Sequence, residues 1–162
     1  MARAGGARGR TFGGHEYVLS AGRACAFVEV VEPPVPLVVF GAGSDTLPVA
    51  RLAREVGWEV TIVDHRPASA TPERFPEADA LVICRSETVA ERVRLDGRTA
   101  AVLMTHNYEH DRALLKTLLE SPAPYVGCLG PRRRTERMLA ELREAGFAPT
   151  EERLTRVHAP VG

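Results

Sequence analysis

From Pro36 onward, short and nearly continuous apolar runs alternate with segments whose apolar residues recur at helical spacing. PLVVF, WEVTIVD, DALVIC, TAAVLMT and APYVGCLG read as five strands, and RLTRVHAP as a possible sixth. LPVARLAREVG is an amphipathic helix ended by Gly57, and ETVAERVRL, YEHDRALLKTLLES and RRRTERMLAELREAG are three more. ATPERFPEA reads as a loop or short helix, and Asp96-Gly97 as a turn. Apolar strands alternating with helices predict a mainly parallel sheet covered on both faces, and right-handed crossovers make it doubly wound. The fold class is therefore α/β, a Rossmann-like sheet in the order 3-2-1-4-5 spanning residues 35–162. Upstream, EYVLSAGRACAFVEVVEPP predicts an N-terminal β-hairpin over residues 15–34, turning at Ala21-Gly22 and ended by Pro33-Pro34. Residues 1–14 are mostly Gly, Ala and Arg and read as a disordered tail.

Charge narrows the partners. The 21 basic and 21 acidic residues of the 162 cancel, which gives no electrostatic case for nucleic acid or an anionic membrane surface. No apolar run approaches the roughly 18 residues of a membrane span, and the arginine-bearing start lacks the apolar core of a secretory signal. Three scattered cysteines, Cys25, Cys84 and Cys128, suit a reducing compartment, so a cytoplasmic location is expected.

In open α/β sheets ligands bind beyond the carboxyl ends of the strands, at the switch in strand order. The strands leave there through Gly41 and Gly43, through Asp64, His65 and Arg66, through Arg85 and Ser86, through Thr105, His106 and Asn107, and through Gly127, Cys128, Gly130 and Arg132; His158 follows the possible sixth. Gly41 allows a tight strand-to-helix turn, and Gly43 lets backbone approach a ligand. The helix behind them points N–H groups at the same place, next to Ser44. The turn departs from a dinucleotide loop in two ways. Thr46 replaces the third glycine, which removes close helix–strand packing, and Asp45 repels a phosphate if it faces one. Asp64 stands where an acid that accepts ribose hydroxyls belongs, although Arg66 nearby blurs that preference, and the pair can also simply bond each other.

GCLGPRRRTERML is the second candidate stretch. Gly130 and Pro131 start a helix with Pro in its first position, and three arginines crowd the first turn, where cations oppose the helix dipole. That arrangement predicts an anion cradle formed by Arg132 and Arg133, with Arg134 and Arg137 facing solvent. In MTHNYEHD, His106, His110 and Asp111 invite a metal reading, but no acid–His signature such as H-E-x-x-H is present; His106 is instead a candidate ligand hydrogen-bonder and His110 a surface residue. Cys128 reads either as a thiolate near positive charge or as a small core residue.

VVFGAGSDTLPVARLAREVGWEVTIVDHRP, AVLMTHNYEHDRALL and YVGCLGPRRRTERML, taken in that order, resemble the C-terminal Rossmann domain of the XdhC/CoxI family, accessory proteins of xanthine dehydrogenase and related molybdenum hydroxylases. The resemblance covers about residues 27 to 162. It implies binding of molybdenum cofactor (molybdopterin, a pterin with a phosphate) for sulfuration and delivery, with an apo molybdenum hydroxylase and a cysteine desulfurase as partners. It also allows NAD(P) as ligand and a homodimer. Family members carry an N-terminal domain with its own cysteine motif, of which this sequence shows a last hairpin, and a helical segment after HAPVG; the chain therefore reads as a fragment or a reduced member. The expected role is a carrier or chaperone rather than a catalyst. The alternatives are an NAD(P)-dependent oxidoreductase, against which no Tyr-x-x-x-Lys pair is present, and a nucleotide-sensing module.

Overall fold

The computed structural model describes residues 13–19, 22–28 and 30–161. The chain divides into two compact units, Met1–Pro33 and Pro34–Gly162. In the first, β1 (Gly13–Leu19) and β2 (Gly22–Val28) pair antiparallel from Gly13↔Val28 to Leu19↔Gly22. The expected hairpin is there, and it starts two residues earlier than the composition suggests. Most of the expected tail, and Ala21 of the expected turn, lie outside the described residues.

The second unit runs β3 (Pro36–Phe40), α1 (Thr46–Glu55), β4 (Glu59–Asp64), β5 (Ala80–Ile83), α2 (Val89–Arg92), β6 (Ala100–Leu103), α3 (Tyr108–Glu120), β7 (Tyr125–Cys128), α4 (Arg132–Glu144), α5 (Glu151–Leu154) and β8 (Val157–His158). All six strands are parallel, in the order β5-β4-β3-β6-β7-β8. Counted from β3 this is the expected order with a sixth strand, β8, added at one edge. The order reverses between β3 and β6, so their carboxyl ends flank the switch point.

Alternate residues of β3 feed opposite faces. Val38 and Phe40 pack with Leu103, Val126 and the inner residues of α3 and α4. Leu37 and Val39 pack with Ile62, Val102, Phe75 and the inner residues of α1. One face thus carries two long helices over its centre and the other a single one. ETVAERVRL shrinks to a 3-10 turn, Ser86–Thr88, and the four-residue α2, because Val93 turns to extended backbone. Pro131 caps α4 from outside instead of occupying its first helical position.

Candidate functional site

The carboxyl ends of β3, β4 and β6 build the site. After Phe40 the chain turns at Gly41, whose φ is 115° and whose N–H donates to the Val63 carbonyl of β4. A Cβ on Gly41 would stand 2.6 Å from the Met104 carbonyl carbon and 2.9 Å from Thr105 Cα. The glycine is therefore demanded by the exit of β6, which presses on the turn. A Cβ on Gly43 would run into the Asp45 carboxylate and lie 4.0 Å from the His106 ring. The space Gly43 leaves is taken up by an internal pair, His106 Nε2 to Asp45 Oδ2 at 2.7 Å. His106 holds a left-handed backbone, φ 57°, to reach it.

That pair changes the meaning of both departures from a dinucleotide loop. Asp45 turns away from α1 and makes no cap, so no carboxylate sits on the helix's first N–H groups. Thr46 is fully buried, and its hydroxyl donates to the Gly41 carbonyl at 2.8 Å, which binds helix to turn where the sequence predicts looser packing. Ser44 remains exposed between them.

Asp64 ends β4 almost wholly buried. Its carboxylate accepts from Ala42 N (2.7 Å), from Arg66 N (2.8 Å), and from Arg66 Nε (3.0 Å) and Nη2 (2.8 Å) in a fork. Burial raises its pKa, but the fork from Arg66 and the backbone donors of Ala42 and Arg66 outweigh it, so the carboxyl stands at about 2. No oxygen is left bare for a ribose hydroxyl while Arg66, itself half exposed, lies closed over it. Beside the fork is a depression lined by Gly41, Asp64, Arg66, Ser86, Thr105 and His110. Its interior of about 20 Å3 has room for a water but not for a ring system. His110, expected at the surface, is half-buried here and meets His65 edge to face at 4.5 Å.

The third turn joins through a buried acid, Asp111, which the sequence offers only as a weak metal ligand. Asp111, on α3, accepts from Thr105 Oγ1 at 2.6 Å and pairs with Arg134 Nη1 at 2.7 Å, with its side chain 3% exposed. Arg134 also lies over the Tyr108 ring at 5.5 Å. It is thus the arginine that turns inward, opposite to expectation. Arg132 points outward, 79% exposed and 3.3 Å from Glu136, and Arg133 is exposed as well. Arg137, expected in solvent, is largely exposed but pairs with Glu141 and also lies over the Tyr108 ring, at 5.0 Å. The start of α4 has no acid in its first turn. Asn107 is a helix cap, accepting from His110 N at 3.1 Å. Cys128 is buried; loss of water pushes its thiol up to about 11, against the pull of Thr135, so the thiolate reading fails. Gly130, φ 112°, turns the chain before Pro131, and His158 stacks on Tyr125 at 4.6 Å. Among the described residues no three His, Cys, Asp or Glu side chains converge as metal ligands.

The Asp45–His106 and Thr105–Asp111–Arg134 bonds therefore make one connected surface of the glycine turn, the histidine turn and the arginine turn. These are the three segments on which the resemblance rests, and residues 37–162 match the XdhC Rossmann domain. The chain belongs to the XdhC Rossmann-domain family. A relative from Bacillus subtilis, described as a probable xanthine dehydrogenase subunit, is 38% identical over 114 residues, 70% of this chain and 34% of that protein. The Escherichia coli molybdenum cofactor insertion chaperone PaoD is 28% identical over 130 residues, 80% of this chain and 34% of PaoD. This XdhC-family chain thus spans about a third of the length of these curated relatives. The crystal structure of a xanthine dehydrogenase from Bacillus halodurans is similar, with a TM-score of 0.70 at 29% identity, covering 80% of this chain and 38% of that one. No helix among the described residues is long and apolar enough to cross a membrane.

Proposed function

We propose that this domain takes up molybdenum cofactor at the carboxyl edge of its sheet and acts as an accessory in its sulfuration and its delivery to an apo molybdenum hydroxylase of the xanthine dehydrogenase type. The observation that carries this reading is the single connected surface formed by the three turns on which the family resemblance rests. Support comes from the family and from what the relatives are called, a cofactor insertion chaperone and a probable subunit of xanthine dehydrogenase.

The donor set fits an anionic cargo. The first N–H groups of α1 and α4 carry no first-turn acid, and the two acids beside the glycine turn are engaged, Asp45 by His106 and Asp64 by Arg66. A helix start favours an anion by about 0.3–1 kcal/mol at exposed sites, and a hydrogen bond to a charged group adds roughly 1.5–3 kcal/mol. Arg132 and Arg133 stand in water, so their part is a long-range, salt-screened attraction. Thr105 and Asp64 hold the two walls in place and do not face the cargo with free groups.

Mass spectrometry of ligand carried through purification tests the reading. A pterin supports it, whereas a nicotinamide or adenine nucleotide alone supports the nucleotide-binding alternative. Gly43→Val breaks the Asp45–His106 pair and should abolish uptake, and unchanged binding in that variant places the site elsewhere. Arg132→Ala or Arg133→Ala should weaken every anionic ligand a few-fold, and less at high salt. The purified chain should show no saturable hydride transfer from NAD or NADP to small alcohols or acids.

A further inference from the structure

We infer that Arg66 is the group that reads the ligand, as the receptor for a terminal phosphomonoester, and that Asp64 is its resting partner rather than a reader of ribose. The inference rests on the proposal that the sheet edge binds a phosphate-bearing ligand, and names what selects it.

The closed state is visible. Three of the N–H groups on Asp64 come from Arg66, two of them from the guanidinium, and with that fork shut the depression beside it has room only for water. A ligand that enters must move Arg66. The cost of doing so depends on what it offers in return. A ribose diol is neutral, so it would replace an ion pair with ordinary hydrogen bonds. A phosphomonoester carries about −1.5 to −2 charges at neutral pH and presents three acceptor oxygens in the geometry a guanidinium fork matches. It outcompetes a single carboxylate for Arg66.

Asp64 tolerates the exchange. When the fork opens, its carboxylate keeps the N–H groups of Ala42 at 2.7 Å and Arg66 at 2.8 Å, with His65 Nδ1 at 3.5 Å, so it remains bonded. The glycine turn, which Asp64 holds through Ala42, stays in place while the side chain of Arg66 swings. The rest of the lining favours the same guest. His65, His110, Ser86 and Thr105 surround the opening, and Asp64 is the one acid among the lining residues. The half-exposed position of Arg66 lets it leave without crossing the core.

A phosphomonoester occurs both at the end of molybdopterin and as the 2′-phosphate of NADP. Two arms of one titration distinguish these sources. NADP is compared with NAD, and molybdopterin with the same pterin after phosphatase treatment, each by calorimetry on the full chain and on Arg66→Ala and Arg66→Lys. The expected result is that in at least one arm the phosphorylated ligand binds about 10- to 100-fold tighter than its mate, the worth of one charge-assisted contact. Arg66→Ala should abolish that gap while leaving the dephosphorylated ligand as tight or tighter, since the latch is gone. Arg66→Lys should restore part of it. Arg133→Ala, outside the latch, should lower both members of a pair together. A gap that survives in Arg66→Ala, or binding with no gap in the wild type, overturns the inference and leaves the ligand-binding proposal standing. No binding in either arm overturns that proposal and this inference with it. Thermal melts of each variant separate loss of binding from loss of fold.

Discussion

Asp64 collects four hydrogen bonds while nearly closed off from water, and this makes it a pH-dependent part of the fold. Its pKa of about 2 in the native chain lies below the ordinary 3.8. A depressed folded-state value means that the stabilisation is complete above the unfolded value and is lost as the pH falls through the folded one. Urea unfolding should therefore weaken between about pH 4 and pH 2, by at most roughly 2 kcal/mol, and by less because the outer half of Arg66 is in water. Asp64→Asn should flatten that part of the profile, and an unaltered profile in this variant would place the acid sensitivity elsewhere. The cysteines offer a second check at this scale. Cys25 is exposed, Cys84 half-buried with a thiol raised chiefly by burial, and Cys128 sealed with its thiol near 11. Iodoacetamide at pH 8 should label them in that order, with Cys128 reacting only on unfolding. A candidate acid after the second strand of the sheet was legible in the sequence, and so was Arg66 as one possible partner; which of ribose and Arg66 wins was not, since spacing shows proximity but not the outcome of the competition.

Between elements, the ties that matter join turns to helices. Arg134 lies in the first turn of α4 and reaches back to Asp111, which also fixes Thr105 at the exit of β6. Removing it leaves a carboxylate with 3% of its side chain exposed holding a single hydroxyl. Arg134→Ala should therefore cost about 2–3 kcal/mol in urea unfolding, whereas Arg132→Ala or Arg133→Ala should stay within roughly 0.5 kcal/mol. Equal losses for the three would mean that Asp111 does not depend on Arg134. Thr46→Val keeps the volume but removes the bond to the Gly41 carbonyl, and should cost about 1 kcal/mol. The sequence showed that three cations crowd a helix start. It could not show which of them turns inward, because the compensating acid lies 23 residues upstream on another helix, and the crossover that brings it near is a property of the sheet. The same limit applies to ETVAERVRL, whose helical spacing is local but whose length is cut by Val93 entering the core.

Across the whole sheet the legible part was the pattern that burial imposes. Strands covered on both faces, such as Leu37–Phe40, must be apolar throughout, and β4 is nearly so, with Thr61 the one polar residue between Val60 and Val63; that is visible without a structure. The unequal covering of the faces was not, because no residue announces the helix that is missing beside it. Leu37, Val49, Trp58, Val102 and Tyr125 line an apolar groove of about 440 Å3 next to α1, with Leu52 63% and Val56 67% exposed at its border. Leu52→Glu should thus change stability by less than about 0.5 kcal/mol and reduce the fluorescence of a dye such as ANS bound to the native protein. A large loss of stability would show that Leu52 is part of the core. The crowding of Gly41 against Met104 and Thr105 has a further consequence, one of timing. A chain emerging from the ribosome presents its glycine turn some 60 residues before the wall that shapes it, and the histidine that engages Asp45 arrives with that wall. Until β6 has slid in beside β3, the turn has only the neighbour it shares with β4. Under the proposed function, a nascent chain too short to include β6 has no shaped glycine turn and takes up no cargo.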